Sequence, residues 1–300
     1  MLSTEFNPIS TTPVRSPVFT DRGLTVHVLR LDRLHPIVSG NKWFKLTGYL
    51  AQARSKNLTR IVTFGGPYSN HLVATAFACS RQGLASTGIV RGTEPSVLSH
   101  SLRTALGHGM QLVFQERRQF DGRTLPATLR QEAGSCLVIP QGGYGLLGAR
   151  GAEAILAGCP DLAVSHIVCA VGTGTTLAGL IRAARPGQQV LGISVFKNNS
   201  GLEALVGALL PEGDGTPDWQ ICHDYPFRGY GRPTAELIAF MNRWYLETGL
   251  PTDFVYTARL FFAAEDLAKR GFFAPGSHLL LIHTGGLQGN DSLPAGTLVF

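Results

Sequence analysis

From one end to the other, the chain alternates short runs of β-branched and apolar residues with stretches of helical spacing. The strand candidates are Leu24–Leu31, Arg60–Phe64, Ser86–Val90, Gln111–Phe114, Cys136–Ile139, His166–Ala170, Gln189–Val195, Phe254–Tyr256 and His278–His283. The helix candidates between them are Lys42–Ser55, Ser69–Gln82, Val97–His108, Thr124–Ala133, Gly148–Leu156, Thr175–Ala184, Gly201–Leu209, Pro233–Thr248 and Thr257–Lys269. Parallel strands cannot be joined by a tight hairpin, and the crossover between them is usually a helix. Such alternation therefore predicts parallel sheet covered by helices. Several strand candidates are apolar without interruption, as expected when both faces are buried. The length, 300 residues, suits two ordinary domains or one divided body. The sequence shows no internal repeat and no low-complexity linker.

Open parallel sheets bind ligands beyond the carboxyl ends of their strands, in the loops that lead into helices. Glycine marks those loops here. The chain has 36 glycines in 300 residues, a share well above the usual value of about 7%. Four glycine-bearing segments draw attention: Ser39-Gly40-Asn41-Lys42, Gly65-Gly66-Pro67-Tyr68-Ser69-Asn70-His71, Gly172-Thr173-Gly174-Thr175-Thr176 and His283-Thr284-Gly285-Gly286. The last three directly follow strand candidates.

Composition removes other classes. A hydrophobic share of 44% and a mean hydropathy of +0.11 exclude wholesale disorder. No apolar run approaches the roughly 18 residues of a membrane helix, so no membrane association is expected. The net charge is +6, but no run of like charges exceeds two residues, as in Arg117-Arg118 and Lys269-Arg270. With no nucleic-acid motif either, the basic balance reads as a solvated surface with some positive charge at an anionic ligand site. The five cysteines are Cys79, Cys136, Cys159, Cys169 and Cys222, widely spaced and without a C-x-x-C pair. Neither a metal site nor a redox pair is expected from them. Residues 1–10 lack a basic segment followed by an apolar core, so no signal peptide is expected and the cytoplasm is the expected compartment.

Each loop suggests chemistry. Gly172–Thr176 lies between a strand and a helix start, where free backbone N–H groups and the helix dipole favour an anion. It is neither G-x-G-x-x-G nor a Walker A loop, so a small phosphate ester suits it better than a nucleotide. The same residues would also make an ordinary turn capping a helix. Lys42 and Lys45 stand at i and i+3 on one face of a starting helix. Lysines at a helix N-terminus oppose the dipole, and a local rule broken beside a loop points to function. A lysine amine near an anionic cofactor can form a Schiff base, although surface lysines are the ordinary alternative. Ser69, Asn70 and His71 open a second helix. As a cluster after Gly65-Gly66 they suit a ligand-facing role, although Ser69 or Asn70 could be an N-cap and His71 a structural histidine. Tyr230 and Tyr256, taken singly, read as packing tyrosines.

Taken in order, these segments resemble the fold-type II pyridoxal-phosphate enzymes. They are most similar to the 1-aminocyclopropane-1-carboxylate deaminase/D-cysteine desulfhydrase family. The resemblance rests on Ser39–Leu46, Gly65–His71, Gly172–Gly179, Gly229-Tyr230-Gly231, Val255-Tyr256-Thr257 and His283–Gly286, and it spans residues from about 20 to 290. It implies an α/β fold of two open twisted parallel-sheet domains, tryptophan synthase β-like, with pyridoxal 5'-phosphate in the cleft. The smaller domain would cover residues 42–148, and the larger would join 1–41 to 149–300. The resemblance also implies a homodimer.

The same resemblance implies roles for matching residues. Lys42 would carry the cofactor covalently and act as the proton-transfer base. Lys45 would sit near the phosphate, which Gly172, Thr173, Gly174, Thr175 and Thr176 would cradle. Asn70 would bond the ring hydroxyl, and Thr257 would face the pyridine nitrogen. Ser69 would bind the substrate carboxylate or assist proton transfer, and His71 would stand with Ser69 and Asn70 on the substrate side. Tyr230 and Tyr256 would line the substrate pocket.

The deaminases of the family carry Glu where this chain has Thr257. A neutral hydroxyl there leaves a weaker electron sink, which suits elimination of a good leaving group better than opening of a cyclopropane. The expected reaction is a D-cysteine desulfhydrase-like α,β-elimination from a small amino acid, giving pyruvate, ammonia and sulfide. The alternatives are 1-aminocyclopropane-1-carboxylate deamination, racemisation, L-amino-acid β-elimination, β-replacement, or a pyridoxal-phosphate-binding regulatory protein. The chain departs from the family at Tyr68, where Gln is common, at Thr175, where a third Gly is common, and at Ala258-Arg259, where Gly-Lys is usual. It is also shorter than typical desulfhydrases.

Overall fold

The computed structural model describes residues 6–132, 134–159, 162–197, 199–213 and 215–300. The chain divides into two compact units. One comprises Met1–Asn41 and Ala152–Phe300, the other Lys42–Gly151.

The larger unit holds a six-stranded sheet. Its strands are β1 (Thr11–Pro13), β2 (Thr25–Arg30), β7 (His166–Val171), β8 (Gln189–Ser194), β9 (Trp219–Cys222) and β10 (His278–His283). They lie in the order β1-β2-β10-β7-β8-β9. All neighbours are parallel except β1, which pairs antiparallel to β2 with Thr11 opposite Leu29. Its helices are α1 (Pro17–Thr20), α6 (Thr175–Ala183), α7 (Leu202–Gly207), α8 (Ala235–Thr248) and α9 (Thr257–Lys269). Phe19, Trp244 and Phe261 are fully buried in a core that also takes in Val28, Val168, Ile193 and Leu281 from the central strands.

The smaller unit holds β3 (Arg60–Gly65), β4 (Ala85–Arg91), β5 (Met110–Gln115) and β6 (Cys136–Ile139), ordered β5-β4-β3-β6 and parallel throughout. Its helices are α2 (Asn41–Ser55, shared across the boundary), α3 (Asn70–Arg81), α4 (His100–Gly107) and α5 (Leu146–Glu153, which ends beyond it). The reason for the apolar runs is visible in β4. Ile89 packs with Val62, Phe64, Leu129 and Cys136, whereas its neighbour Val90 packs with Leu72, Leu102 and Met110. Successive side chains point to opposite faces, so both faces of this sheet are covered.

The expected α/β architecture of two open parallel sheets is therefore present, with β1 as an added antiparallel edge. Three expectations differ in detail. Phe254–Tyr256 is not a strand. The Asp253 carboxylate accepts backbone N–H groups from Val255 (3.0 Å), Tyr256 (2.8 Å) and Thr257 (2.9 Å), turning these residues into the entry of α9. That local capping overrides the β-propensity of Phe-Val-Tyr. Of the expected helix Thr124–Ala133, only a 3₁₀ segment, Ala127–Glu132, forms; Ala133 lies outside the described residues. Strands β1 and β9 were not anticipated: each is short and lies at a sheet edge, where side-chain alternation is weakly imposed.

Candidate active site

In the larger unit, parallel pairing aligns the carboxyl ends of β2, β10, β7 and β8, with His283 opposite Arg30 and Val171 opposite Ser194. The loops that follow these ends converge. Gly40 donates its N–H to Leu31 O at 2.8 Å, and Asn41 donates to Thr284 O at 3.2 Å. Backbone meets backbone here, because a Cβ on Gly40 would overlap the Thr284 carbonyl and lie 2.8 Å from Gly285 Cα. Gly40 also has φ +82°, which an L side chain rarely adopts.

Asn41 then reaches Thr176. Its Nδ2 donates to Thr176 Oγ1 at 2.7 Å, between two buried residues. Thr176 lies in the first turn of α6, whose N-cap is Gly174 at φ +85°. Gly174 provides no side-chain cap, so the first-turn amides depend on some other acceptor. Thr173 Oγ1 and Thr175 Oγ1 lie 3.2 Å apart at the same turn. This side-chain bond ties Asn41, at the end of the larger unit's first segment, to the N-terminus of α6.

The tyrosines meet in the same unit. Tyr230 and Tyr256 place their hydroxyls 2.8 Å apart, and Tyr230 stacks on Phe196 with ring centroids 5.0 Å apart. Tyr256 lies beside Gly172. Burial and the neighbouring Tyr230 hold the Tyr256 phenol well above its ordinary pKa, so it stays neutral near pH 7. Thr257 is fully buried one residue on. Its Oγ1 donates to Asp253 Oδ2 at 2.7 Å and accepts the Asp253 N–H at 2.8 Å. The one hydroxyl proton is thus committed, and one lone pair remains.

In the smaller unit, Ser69 is the N-cap of α3 and accepts the Leu72 N–H at 3.3 Å. Asn70 Oδ1 is buried without a hydrogen-bond partner. Lys45 is buried and donates to Gly142 O at 3.2 Å. His71 is buried, with Nε2 2.9 Å from Thr63 Oγ1. Thr63 itself donates to Ile139 O at 2.8 Å, so His71 is the donor to Thr63 and its proton sits on Nε2. Tyr68, by contrast, is exposed and lies against His100, with ring centroids 5.8 Å apart.

Burial, then the charges of Lys42 and Lys45, hold the His71 pKa well below 6.5. The folded protein keeps His71 neutral, whereas the unfolded chain takes up a proton as the pH falls through about 6.5. The unfolded state then binds more protons, so this residue removes stability on acidification, by about 1.4 kcal/mol per pH unit below that point. A His71→Gln protein is expected to lose less thermal stability between pH 7.5 and 5.5 than the wild type. Equal losses, read by melting at both pH values, would contradict the assignment.

Three residues carry more of this geometry than their sequence signal suggested. Asn41 stood inside a motif without a role of its own. Asp253 was hidden before a segment read as strand, although an Asp readily accepts backbone N–H groups two or three residues on. Arg259 looked like a departure only. Among the described residues, no group of three or more His, Cys, Asp or Glu could hold a metal ion, and no helix is long and apolar enough to cross a membrane.

The family model "Pyridoxal-phosphate dependent enzyme" matches residues 6–285. The chain belongs to this family. More narrowly, it is a fold-type II member of the 1-aminocyclopropane-1-carboxylate deaminase/D-cysteine desulfhydrase group. It is 30% identical over 288 residues to a Thermotoga maritima protein that carries a provisional 1-aminocyclopropane-1-carboxylate deaminase name, covering 89% of this chain and 90% of that one. It is also 30% identical over 294 residues to the mitochondrial bifunctional D-cysteine desulfhydrase/1-aminocyclopropane-1-carboxylate deaminase of Arabidopsis thaliana, covering 89% and 73%. The crystal structure of an ACC deaminase homologue superposes with a TM-score of 0.76 at 25% identity, covering 96% of this chain and 94% of that one.

The residues present fit the family's cofactor. Pyridoxal phosphate brings a phosphate, for which the α6 N-terminus has no side-chain cap of its own. It also brings a ring hydroxyl, for which the buried Asn70 Oδ1 is an acceptor still without a partner. Asn41→Ala would release Thr176 from its buried bond, and we expect cofactor affinity to fall about tenfold. Titration of the apo-protein with pyridoxal phosphate checks this, and unchanged affinity would contradict it.

Proposed function

We propose that the chain catalyses α,β-elimination on a small amino acid, D-cysteine first, consuming one water and releasing pyruvate, ammonia and hydrogen sulfide. Thr257 carries this reading. The family resemblance sets this residue against the pyridine nitrogen, and here it is a buried hydroxyl whose proton is held by Asp253. Toward a ring nitrogen it offers only a neutral lone pair, a weaker partner for a protonated nitrogen than a carboxylate would be. No carboxylate touches that position directly, because Asp253 lies one hydrogen bond further back with four donors already on it. Opening a cyclopropane that lacks an α-hydrogen calls for the strongest electron sink. Expulsion of a thiolate asks for less.

When bound, pyridoxal phosphate supplies an aldehyde that captures the substrate amine and a ring that withdraws electrons from the α-carbon. The chain supplies the rest. The α6 amides and the hydroxyls of Thr173, Thr175 and Thr176 would hold the phosphate. Asn41 keeps Thr176 in place, and Asn70 would accept the ring hydroxyl. Lys42 Nζ would hold the cofactor and, once free, would take the α-proton. Ser69 and the N-terminus of α3 bind the substrate carboxylate. Tyr230 and the neutral Tyr256 line the substrate side.

Assay of the pyridoxal-phosphate-loaded enzyme against D- and L-cysteine, D- and L-serine and 1-aminocyclopropane-1-carboxylate tests the proposal. We expect pyruvate and sulfide in equal amounts, with the highest kcat/KM for D-cysteine. A higher kcat/KM for the cyclopropane amino acid, giving 2-oxobutyrate, would overturn it.

A further inference from the structure

Arg259 is fully buried in α9, yet among the described residues its guanidinium makes no hydrogen bond to a carboxylate. It donates to backbone carbonyls instead: Nη1 to Val195 O at 2.9 Å and Pro226 O at 2.8 Å, Nη2 to Gly229 O at 2.6 Å, and Nε to Phe254 O at 3.4 Å. Three of these carbonyls belong to residues next to, or nearly next to, an aromatic ring. Val195 precedes Phe196, Gly229 precedes Tyr230, and Phe254 stands two residues before Tyr256. These three rings form one wall, through the Phe196–Tyr230 stack and the hydroxyl contact between Tyr230 and Tyr256. Pro226 precedes Phe227, which has the left-handed φ of +49°. For a phenylalanine that conformation is strained and persists only when its surroundings hold it. The guanidinium carbon lies 5.7 Å from the Phe227 ring centroid, within cation–π range.

We infer that Arg259 is a positioning residue that sets the Phe196–Tyr230–Tyr256 wall through its four carbonyl anchors. The consequence for substrate rests on the reading, proposed above, that this wall lines the substrate side. Tyr230 is the member most in need of an anchor. Its side chain is 45% exposed, and it sits between Gly229 (φ +104°) and Gly231 (φ +66°), whose backbones resist movement least. The planar fork suits the task, since its N–H groups leave in fixed directions toward separate loops. A lysine ammonium is a single point on a flexible stem and cannot hold four carbonyls spread in this way.

Arg259→Lys tests the inference with two readouts on the purified, cofactor-loaded protein. The near-ultraviolet circular dichroism of the aromatic wall is expected to change at a temperature where the far-ultraviolet spectrum does not. The KM for the best substrate is expected to rise about tenfold while kcat changes less than threefold. In a double-mutant cycle, Tyr230→Phe should then add little to the KM effect of Arg259→Lys, because both act through one wall. An unchanged near-ultraviolet spectrum overturns the inference whatever the substrate proves to be. A changed spectrum with unchanged KM leaves the anchoring intact and overturns the reading of the wall as substrate-facing. Additive effects of the two variants on KM overturn the claim that Arg259 works through Tyr230. Should Arg259→Lys fail to fold, Phe227→Ala keeps the guanidinium and removes the ring beneath it. The same change in the tyrosine region of the near-ultraviolet spectrum is expected there, and an unchanged tyrosine region overturns the inference.

Discussion

Lys42→Ala protein is expected to fold, to lose the visible absorption of the bound cofactor, and to lose turnover by about 10⁴-fold or more. Fold and function separate at this position because of where Lys42 sits. The bond that secures the helix start is made by the preceding residue, Asn41, to Thr176, and alanine is the best helix former for the vacated position. The amine is what disappears, and with it the proposed covalent anchor and base. Lys45→Ala makes the useful comparison. Lys45 stands one turn later, is buried and holds Gly142 O, so its loss is expected to cost stability while leaving the visible band in place. Steady-state assay and absorption spectra of both proteins check this. A Lys42→Ala enzyme that keeps normal turnover would remove the assignment.

Gly40→Ala is expected to have the largest effect on stability. The added methyl would overlap the Thr284 carbonyl and crowd Gly285 at a position with φ +82°. The obstacle is backbone on both sides, so no side-chain rotation relieves it. Strain of this kind costs roughly 3 kcal/mol or more. Asn41 and Lys42 come directly after it in the chain, so displacement of Gly40 should also weaken cofactor uptake. Thermal melting with and without pyridoxal phosphate measures both effects. An unchanged melting temperature would show that the close approach of Gly40 to Thr284 and Gly285 is not tight.

The parallel-sheet architecture was legible because burial on both faces writes itself into the strands as uninterrupted apolar runs. In β4, Ile89 and Val90 both needed to be apolar because they serve opposite cores. The site loops were legible because glycine and small hydroxyl residues follow those strands directly. Structure made by few or unusual contacts was not legible. Strand β1 spans only Thr11–Pro13 and depends on β2 for its existence. Phe254–Tyr256 reads as strand by propensity, and only the Asp253 carboxylate makes it a helix entry. Arg259 could be noticed as a departure from lysine, but nothing local shows that its acceptors come from residues 195, 226, 229 and 254. His71 was ambiguous for a related reason. Its meaning depends on Thr63 and Ile139 across the sheet.

Lys42, and not its neighbour Lys45, is the lysine proposed to carry pyridoxal phosphate. Borohydride reduction of the loaded enzyme, followed by proteolysis and mass mapping, tests it most directly. A single phosphopyridoxyl adduct is expected on the peptide bearing Lys42, located by fragmentation to Lys42 itself. An adduct on Lys45 or on another lysine, or no adduct in protein that shows the visible band, would contradict it.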